Sequence, residues 1–353
     1  MSGARARPTC LFSIVLAFAS VGCSPSEPGV VLYVSADDHV ARQIVQAFER
    51  ETGIRVDTVG DTEQTKTTGL ANRLRAERDN PQADVFWSSE IFNTINLAEE
   101  GVLEAYMPRT ATDWPRGFRD PQHRWHGFAA RARVIVYAPD RVAPEHRPRT
   151  WMDLTQGQFK ARIVMADPRF GTTGGHLAAM KVYWSKIVGR GYYDAFLMGL
   201  AANEVRLVPS GNAGVVQAVA AGEADLGLTD TDDVWAARAR GLNVDLIYAR
   251  HDVDPDAAGG GTLLIPNTVG RVTGSPHPEA ACRLIDFLLS APVERMLAES
   301  VSHNVPVRSD LAADYAPYAV PDPLRVDYRR AATALQGAVE QAMRRLGRGG
   351  DAP

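Results

Sequence analysis

A regular alternation of strand-like and helix-like segments runs through most of the chain. The β-rich run VVLYV at residues 30–34 is followed by a helical period at 39–51, which stops at Gly53, and by an alternating strand at 54–59. Further predicted strands, with helical stretches between them, lie at 84–87, 162–165, 205–208 and 225–228. Alternating β and α units form a parallel sheet with helices on its faces. The sequence therefore predicts an α/β fold.

Chain length and two long β-rich segments indicate two lobes. A chain of 353 residues is too long for one small core, so we expect two domains of ordinary size. Residues 129–137 are typical of a long strand that passes from one lobe to the other, and 244–265, interrupted by three glycines, are a second candidate crossover. We therefore predict a discontinuous first lobe of residues 30–128 and 266–345 and an inserted second lobe of residues 129–265.

The N-terminus has the pattern of an export signal. Two arginines precede an apolar run at residues 11–21, which is shorter than the roughly 20 residues of a membrane-spanning helix. The run ends in SVGC at residues 20–23, which resembles a bacterial lipoprotein signal, with Ser in place of the usual Leu. We predict a signal peptide at residues 1–22, a lipid anchor on Cys23 and a tether at 23–29. An ordinary cleaved signal is the alternative.

Charge and cysteine content exclude two broad classes of protein. The chain carries 42 Asp and Glu against 38 Lys and Arg, a net charge of −4, whereas nucleic-acid-binding domains are clearly basic. Three cysteines are too few for a disulfide scaffold. We therefore expect a soluble globular protein that binds no nucleic acid.

Several segments together resemble the periplasmic solute-binding proteins of ABC importers, in particular the group of ferric-iron-binding proteins. The matching segments are LYVS at 32–35, AFERETGI at 47–54, NPQADV at 80–85, MADP at 165–168, GTTGGH at 171–176, AGEADLG at 221–227, IPNT at 265–268 and DFLLS at 286–290. The resemblance covers about residues 30–308. It implies a two-lobed, type II periplasmic-binding-protein-like fold, whose lobes close about a hinge on a small solute, and docking on the membrane subunits of a permease. A monomer in the periplasm, held at the membrane by its lipid, is the state we expect.

The resemblance fails at the residues that bind iron in typical ferric-binding members. Those proteins carry adjacent tyrosines after the Gly-Glu-x-Asp-Leu-Gly strand, whereas residues 229–235 here are TDTDDVW. Carboxylates are also hard oxygen ligands, but they suit other cations as well. Tyr192 and Tyr193 are adjacent, yet neighbouring side chains on a helix diverge by about 100°, which favours a packing role for them. The ligand is thus ferric iron or another metal cation, slightly favoured by the resemblance, or a small anionic organic solute such as a phosphonate or phosphorylated compound.

Ligands of open α/β sheets bind outside the carboxyl ends of the strands, which selects the candidate ligand-binding residues. The loops that satisfy this rule contribute the candidates Ser35, Asp37, Asp38, Ser88, Glu90, Thr172, Thr173, His176, Asp230 and Asp232. Further candidates are Arg131 and Arg133 on a strand, Asn212 before a helix and Asn267 beside the second crossover. Among all of these, Asp230, Asp232 and Glu90 are the candidate metal ligands. Arg131 and Arg133 share one face of a strand, where they could pair with an anionic ligand or with the acidic loops.

Many of these residues also have a structural interpretation. The acidic and hydroxyl residues at 37–38 and 88–90 could cap the helices that follow them. The glycines at 171–175 let backbone N–H groups at a helix start approach a bound oxygen, or serve only a turn. His176 could be a metal ligand or a residue of the first helical turn, and the two arginines could form hinge salt bridges.

Catalytic signatures are absent from the sequence. It contains no Gly-x-Ser-x-Gly elbow, no His-Glu-x-x-His pair and no Walker loop. Although acidic loops at strand ends could act as acid and base, we expect a non-catalytic binding protein without a resident cofactor. A sensory or adaptor lipoprotein of the envelope, which uses the same closure to signal to another protein, is a further hypothesis.

Overall fold

The computed structural model describes Met1 and residues 29–61 and 67–347. The predicted signal peptide, the lipid anchor on Cys23 and most of the tether lie outside these residues and stay predictions. Among the helices described, none combines the length and the apolar character needed to cross a bilayer.

The described strands form one mixed sheet. In chain order they are β1 Val30–Val34, β2 Val56–Gly60, β3 Val85–Ser88, β4 Leu103–Glu104, β5 His126–Tyr137, β6 Ile163–Ala166, β7 Arg206–Val208, β8 Leu226–Asp230, β9 Asp245–Ile247 and β10 Leu264–Val272. Hydrogen bonds arrange them as β2-β1-β3-β10-β5-β8-β6-β7, with β4 beside β10 and β9 beside β5.

Helices alternate with most of these strands. They are α1 Asp38–Thr52, α2 Thr68–Ala76, α3 Phe92–Glu99, α4 Gly171–Ile187, α5 Tyr192–Ala202, α6 Gly211–Ala220, α7 Thr231–Ala239, α8 Pro278–Leu288, α9 Ala291–Glu299 and α10 Tyr328–Leu346. Short 3₁₀ turns lie at Arg116–Phe118, Pro144–His146, Trp151–Thr155, Gly157–Phe159 and Ala316–Tyr318. The predicted α/β fold is confirmed.

The sheet consists of two halves with the same local strand order. In the first half, β1 lies between β2 and β3 and is parallel to both, and β10 runs antiparallel beside β3. In the second half, β6 lies between β7 and β8 and is parallel to both, and β5 runs antiparallel beside β8. This repeated order is the two-lobed arrangement that the sequence predicted.

Strand β5 belongs to both halves. Its residues 126–132 pair with β10, whereas 133–137 pair with β8, so the strand changes partner inside the predicted crossover at 129–137. The second predicted crossover, 244–265, contains β9 and ends where β10 begins. The lobe boundaries themselves stay a prediction. Helix α10, which they assign to the first lobe, packs against α4 and α5 as well as α3.

Local sequence explains how helix α1 forms and ends. Its buried side chains, which include Ala41, Ile44 and Phe48, recur at helical spacing and pack with the buried side chains of β1. The helix ends at Gly53, whose φ of 72° lies in the left-handed region that glycine adopts without strain. The predicted stop at this glycine is confirmed.

Candidate functional site

A polar pocket lies where strands of both halves end. Its walls come from the loops that follow β1 and β3 in the first half, from β5, and from the loops that follow β6, β7 and β8 in the second half. The lining residues are Asp37, Ser89, Arg131, Ala166, Asp167, Phe170, Gly171, Thr172, Pro209, Gly211, Asn212, Ala213, Asp230, Asp232 and Asp233. Loops that the strand-end rule selected thus meet in one pocket.

Asp230 is a carboxylate of this pocket that accepts hydrogen bonds from four side chains. It is the last residue of β8 and is buried. Its Oδ1 accepts a 2.7 Å hydrogen bond from Arg133 Nη1, and its Oδ2 accepts bonds from Thr172 Oγ1 at 2.7 Å, Asn212 Nδ2 at 2.9 Å and Arg131 Nε at 3.3 Å. Burial alone would raise the pKa of Asp230, but the two guanidiniums hold it below its usual value. Asp230 is thus a fixed, ionised group.

Two further carboxylates stand beside Asp230 in the first turn of α7. One ligand oxygen of each of Asp230, Asp232 and Asp233 lies within 4.8 Å of the others, a separation that one metal ion can bridge. We call these three residues the acidic group. Arg131 Nε lies 3.4 Å from Asp232 Oδ2, so a guanidinium borders the group. Two of its members were predicted, and Asp233 comes from the same acidic loop.

Glu90 is not brought to the acidic group. Its Oε2 accepts a 2.6 Å hydrogen bond from the Phe92 N–H and its Oε1 a 3.0 Å bond from the Asn93 N–H, which caps the start of α3. Burial raises the pKa of Glu90 to about 7, and these N–H groups oppose the shift. Ser88 serves the same turn, because its hydroxyl donates to the Glu90 carbonyl at 2.7 Å. Glu90 therefore has the capping role that the sequence offered as its alternative, and Ser88 stabilises the turn before the helix.

The two adjacent aspartates in the loop after β1 have different surroundings. Asp37 lines the pocket, whereas Asp38 is exposed and pairs with Arg42 on the surface of α1. Ser35 does not line this pocket but contacts a residue that does: its hydroxyl accepts a 2.8 Å hydrogen bond from the Ser89 N–H. The Ser89 carbonyl in turn accepts a hydrogen bond from Arg131 Nη2.

The glycine-rich segment at the start of α4 allows close helix packing and also places polar side chains at the pocket. A Cβ on Gly175 would lie 2.1 Å from the Phe92 ring of α3, so this glycine lets α4 approach the first half closely. Thr172 reaches the pocket and donates to Asp230. Thr173 lies within 3.4 Å of the Asn212 amide oxygen, which joins the starts of α4 and α6.

Asn267 lies at the edge of the site. Its Nδ2 donates to the Ala129 carbonyl at 2.7 Å and its Oδ1 accepts from Trp87 Nε1 at 3.2 Å. It lines an adjoining pocket that shares Asp37, Ser89, Arg131 and Asp232 with the first one and also includes Ser302 and Asn304. These last two residues carry no signal in the sequence, because they come from a loop after α9 rather than from a strand end.

The fold agrees with comparisons to known proteins. The family model of the bacterial extracellular solute-binding proteins matches residues 30–300. The chain belongs to this family.

Individual relatives of this solute-binding protein differ in what their names say they bind. "Iron uptake protein A1" of Synechocystis is 27% identical over 310 residues, which cover 84% of this chain and 82% of the relative. A "putative 2-aminoethylphosphonate-binding periplasmic protein" of Salmonella typhimurium is 29% identical over 294 residues, covering 82% and 78%. The crystal structure of iron-bound HitA from Pseudomonas aeruginosa superposes with a TM-score of 0.76 at 25% identity, over 89% of this chain and 99% of HitA.

The adjacent tyrosines of this solute-binding protein lie away from the pocket. Tyr193 is buried and donates to the Ala338 carbonyl of α10 at 3.0 Å, and the ring of Tyr192 packs edge-on against Trp184. The packing role predicted for both is confirmed. Tyrosine is absent from the residues that line the described pocket, so oxygen ligands there come from carboxylates, amides and hydroxyls.

Proposed function

We propose that this solute-binding protein captures Fe³⁺ as cargo and delivers it to the permease of an ABC importer. The acidic group of Asp230, Asp232 and Asp233 carries the proposal, because three carboxylates that meet within 4.8 Å are an oxygen site for a hard cation. The names of the iron-uptake and Fe(3+)-binding relatives support the same cargo.

The charge of the pocket also favours a cation. Five aspartates and one arginine are among the residues that line it, so its electrostatic potential attracts positive charge. Asp232 and Asp233 would receive the ion first, because Asp230 is already held by two guanidiniums. Entry of the ion would displace Arg131 from Asp232, and closure of the lobes would follow.

An aminophosphonate is the second candidate cargo. The guanidinium of Arg131 and the starts of α4 and α6 lie in the same pocket, and helix N-termini attract anionic groups. A zwitterion could place its phosphonate there and its ammonium on the aspartates. The Salmonella relative's name supports this candidate. Arg131→Gln separates the two, because it would weaken phosphonate binding but leave cation binding unchanged or stronger.

The setting that we propose is the periplasm, where the relatives with assigned locations work. The lipid on Cys23 would hold the protein at a membrane, and it would act there as a monomer without catalytic activity. A Cys23→Ala variant that still sediments with the membrane fraction would contradict the anchor.

Thermal unfolding with added solutes tests the cargo, because a ligand that binds only the folded state raises the melting temperature. We expect a rise with Fe³⁺ supplied as its citrate complex and none with citrate alone. The double variant Asp232→Asn, Asp233→Asn should lose this rise, whereas Asp57→Asn, an exposed acid outside the pocket, should keep it. A rise with 2-aminoethylphosphonate and none with ferric citrate would overturn the cation in favour of the second candidate.

A further inference from the structure

A chain of hydrogen bonds extends from Asp230 into the protein, away from the pocket. Arg133, which holds Asp230, donates from Nε to His176 Nδ1 at 3.3 Å. His176 Nε2 lies 2.9 Å from His251 Nε2, and His251 Nδ1 lies 2.6 Å from the Gly261 carbonyl oxygen. Arg133, His176 and His251 are all buried. We call this the histidine chain.

The two ends of the histidine chain fix the direction of every hydrogen bond in it. The Arg133 Nε–H can only donate, and the Gly261 carbonyl can only accept. Two neutral imidazoles satisfy all three contacts in one arrangement, with the proton of His176 on Nε2 and that of His251 on Nδ1. A proton added to either ring would leave two donors facing each other. Burial lowers the pKa of both rings, for His251 to about 4, which agrees with neutral histidines.

The guanidinium of Arg133 makes hydrogen bonds both to residues of the pocket and to His176. Its Nη1 serves three acceptors at the pocket, which are Asp230, Thr172 and Asn212. Its Nη2 is buried and has no hydrogen-bond partner among the residues that the structure describes. The bond from Nε to His176 is therefore a hydrogen bond that this guanidinium makes to a residue outside the pocket lining.

The histidine chain also joins the two segments that connect the halves. Arg133 is the first residue of β5 that pairs with β8, directly after the point where this strand leaves β10. Gly261 lies in the segment between β9 and β10, and the Arg133 N–H donates to the Leu263 carbonyl of that same segment at 2.9 Å. The position of Asp230 is thus linked to both connections between the halves.

We propose that His176 and His251 are positioning residues of the ligand site: His251 fixes the tautomer of His176, which holds Arg133 so that Asp230 faces the pocket. The role of the site as a cation site rests on the proposed function. The sequence analysis placed His176 among the ligand-binding residues, and in this proposal it acts through Arg133 without touching the ligand.

Three substitutions test the proposal through ferric-citrate affinity, measured by calorimetry. His176→Phe keeps a ring beside Trp151 but removes the acceptor for Arg133. We expect it to weaken binding roughly 10- to 100-fold, the usual cost of losing a residue that orients a metal ligand. His176→Asn places an amide oxygen near the Nδ1 position and should recover most of the affinity. His126→Phe, at a buried histidine of the first half that contacts His123, is the control and should bind as the wild type does.

Two measurements without ligand keep this inference separate from the choice of cargo. Nitrogen-15 NMR should find the His176 proton on Nε2 and the His251 proton on Nδ1. The carboxyl ¹³C titration of Asp230 should shift to higher pH in His176→Phe and stay in place in His126→Phe. A proton on His176 Nδ1, an unshifted Asp230 titration, or equal losses of affinity in His176→Phe and His126→Phe would overturn the proposal. Failure of the wild type to bind ferric citrate would refute the cargo, and the NMR results would still decide the positioning role.

Discussion

Glu90 and Asp230 lie in corresponding regions of the two halves of the sheet. Each carboxylate lies where the third strand of its half, β3 or β8, gives way to a helix, and each is buried. Yet their pKa values move in opposite directions, since burial raises that of Glu90 to about 7 and two guanidiniums hold that of Asp230 below its usual value. The partners, and not the burial, decide which carboxylate stays charged.

The partners differ because of strand β5. It pairs with β8 in the second half, which places Arg133 directly opposite Asp230 in the register. Strand β3 pairs instead with β10, whose residue opposite Ser88 is Thr268, and the Thr268 hydroxyl lies 3.2 Å from the Glu90 carbonyl rather than its carboxylate. The second half therefore supplies most of the charge for a ligand, and the first half supplies Asp37 and the Ser89 carbonyl.

Asp230→Asn should have the largest effect on stability and on ligand binding, since it removes the ionised carboxylate that distinguishes the second half from the first. It leaves the buried Arg133 without the carboxylate of Asp230, while Arg131 keeps its contact with Asp232. Loss of one partner of a buried ion pair costs about 3–5 kcal/mol of unfolding free energy. We also expect no stabilisation by ferric citrate. Urea unfolding and calorimetry measure the two effects.

Asp232→Asn serves as the matched control for stability. Its side chain is partly exposed, at 19%, and it is paired with Arg131 at 3.4 Å, so the variant should lose affinity with little loss of stability. Equal losses of stability in the two variants would show that Asp230 has no special structural role.

The repeated β and α units could be predicted from the sequence, but the hydrogen-bond and ion-pair partners of each carboxylate could not. The apolar period of α1 and its stop at Gly53 depend on neighbours in the chain, so they could be predicted. The strand-end rule likewise selected both Glu90 and Asp230. Whether an arginine stands beside each acid depends on the pairing of β5, which joins residues almost 100 positions apart. For the same reason His251 could not be found, because its partner His176 is distant in sequence.

Glu90→Gln should have an intermediate effect, and one that depends on pH. The pKa of Glu90 is raised from 4.5 to about 7 in the folded protein, so the stability that it contributes is present at low pH and is lost as the pH rises through about 7. The variant cannot ionise. It should therefore be more stable than the wild type at pH 8, by at most about 3 kcal/mol, and similar to it at pH 4.

Urea unfolding of both proteins from pH 4 to pH 8 measures this difference. Ligand affinity should be unchanged, because the Glu90 carboxylate caps α3 and does not line the pocket. A wild type whose stability relative to the variant does not fall with rising pH would show that Glu90 is ionised when buried, and the contrast with Asp230 would disappear.

Asp38→Ala should have the smallest effect, although Asp38 is adjacent to Asp37, which lines the pocket. The Asp38 side chain is 80% exposed and pairs with Arg42 one turn further along α1, an arrangement worth about 0.3–0.5 kcal/mol. We therefore expect a change of that size in urea unfolding and no change in ferric-citrate affinity by calorimetry. A loss of affinity beyond the error of the measurement would mean that Asp38 of the first half contributes charge to the ligand site. Because this substitution alters nothing in the second half, such a loss would weaken the distinction between the two halves.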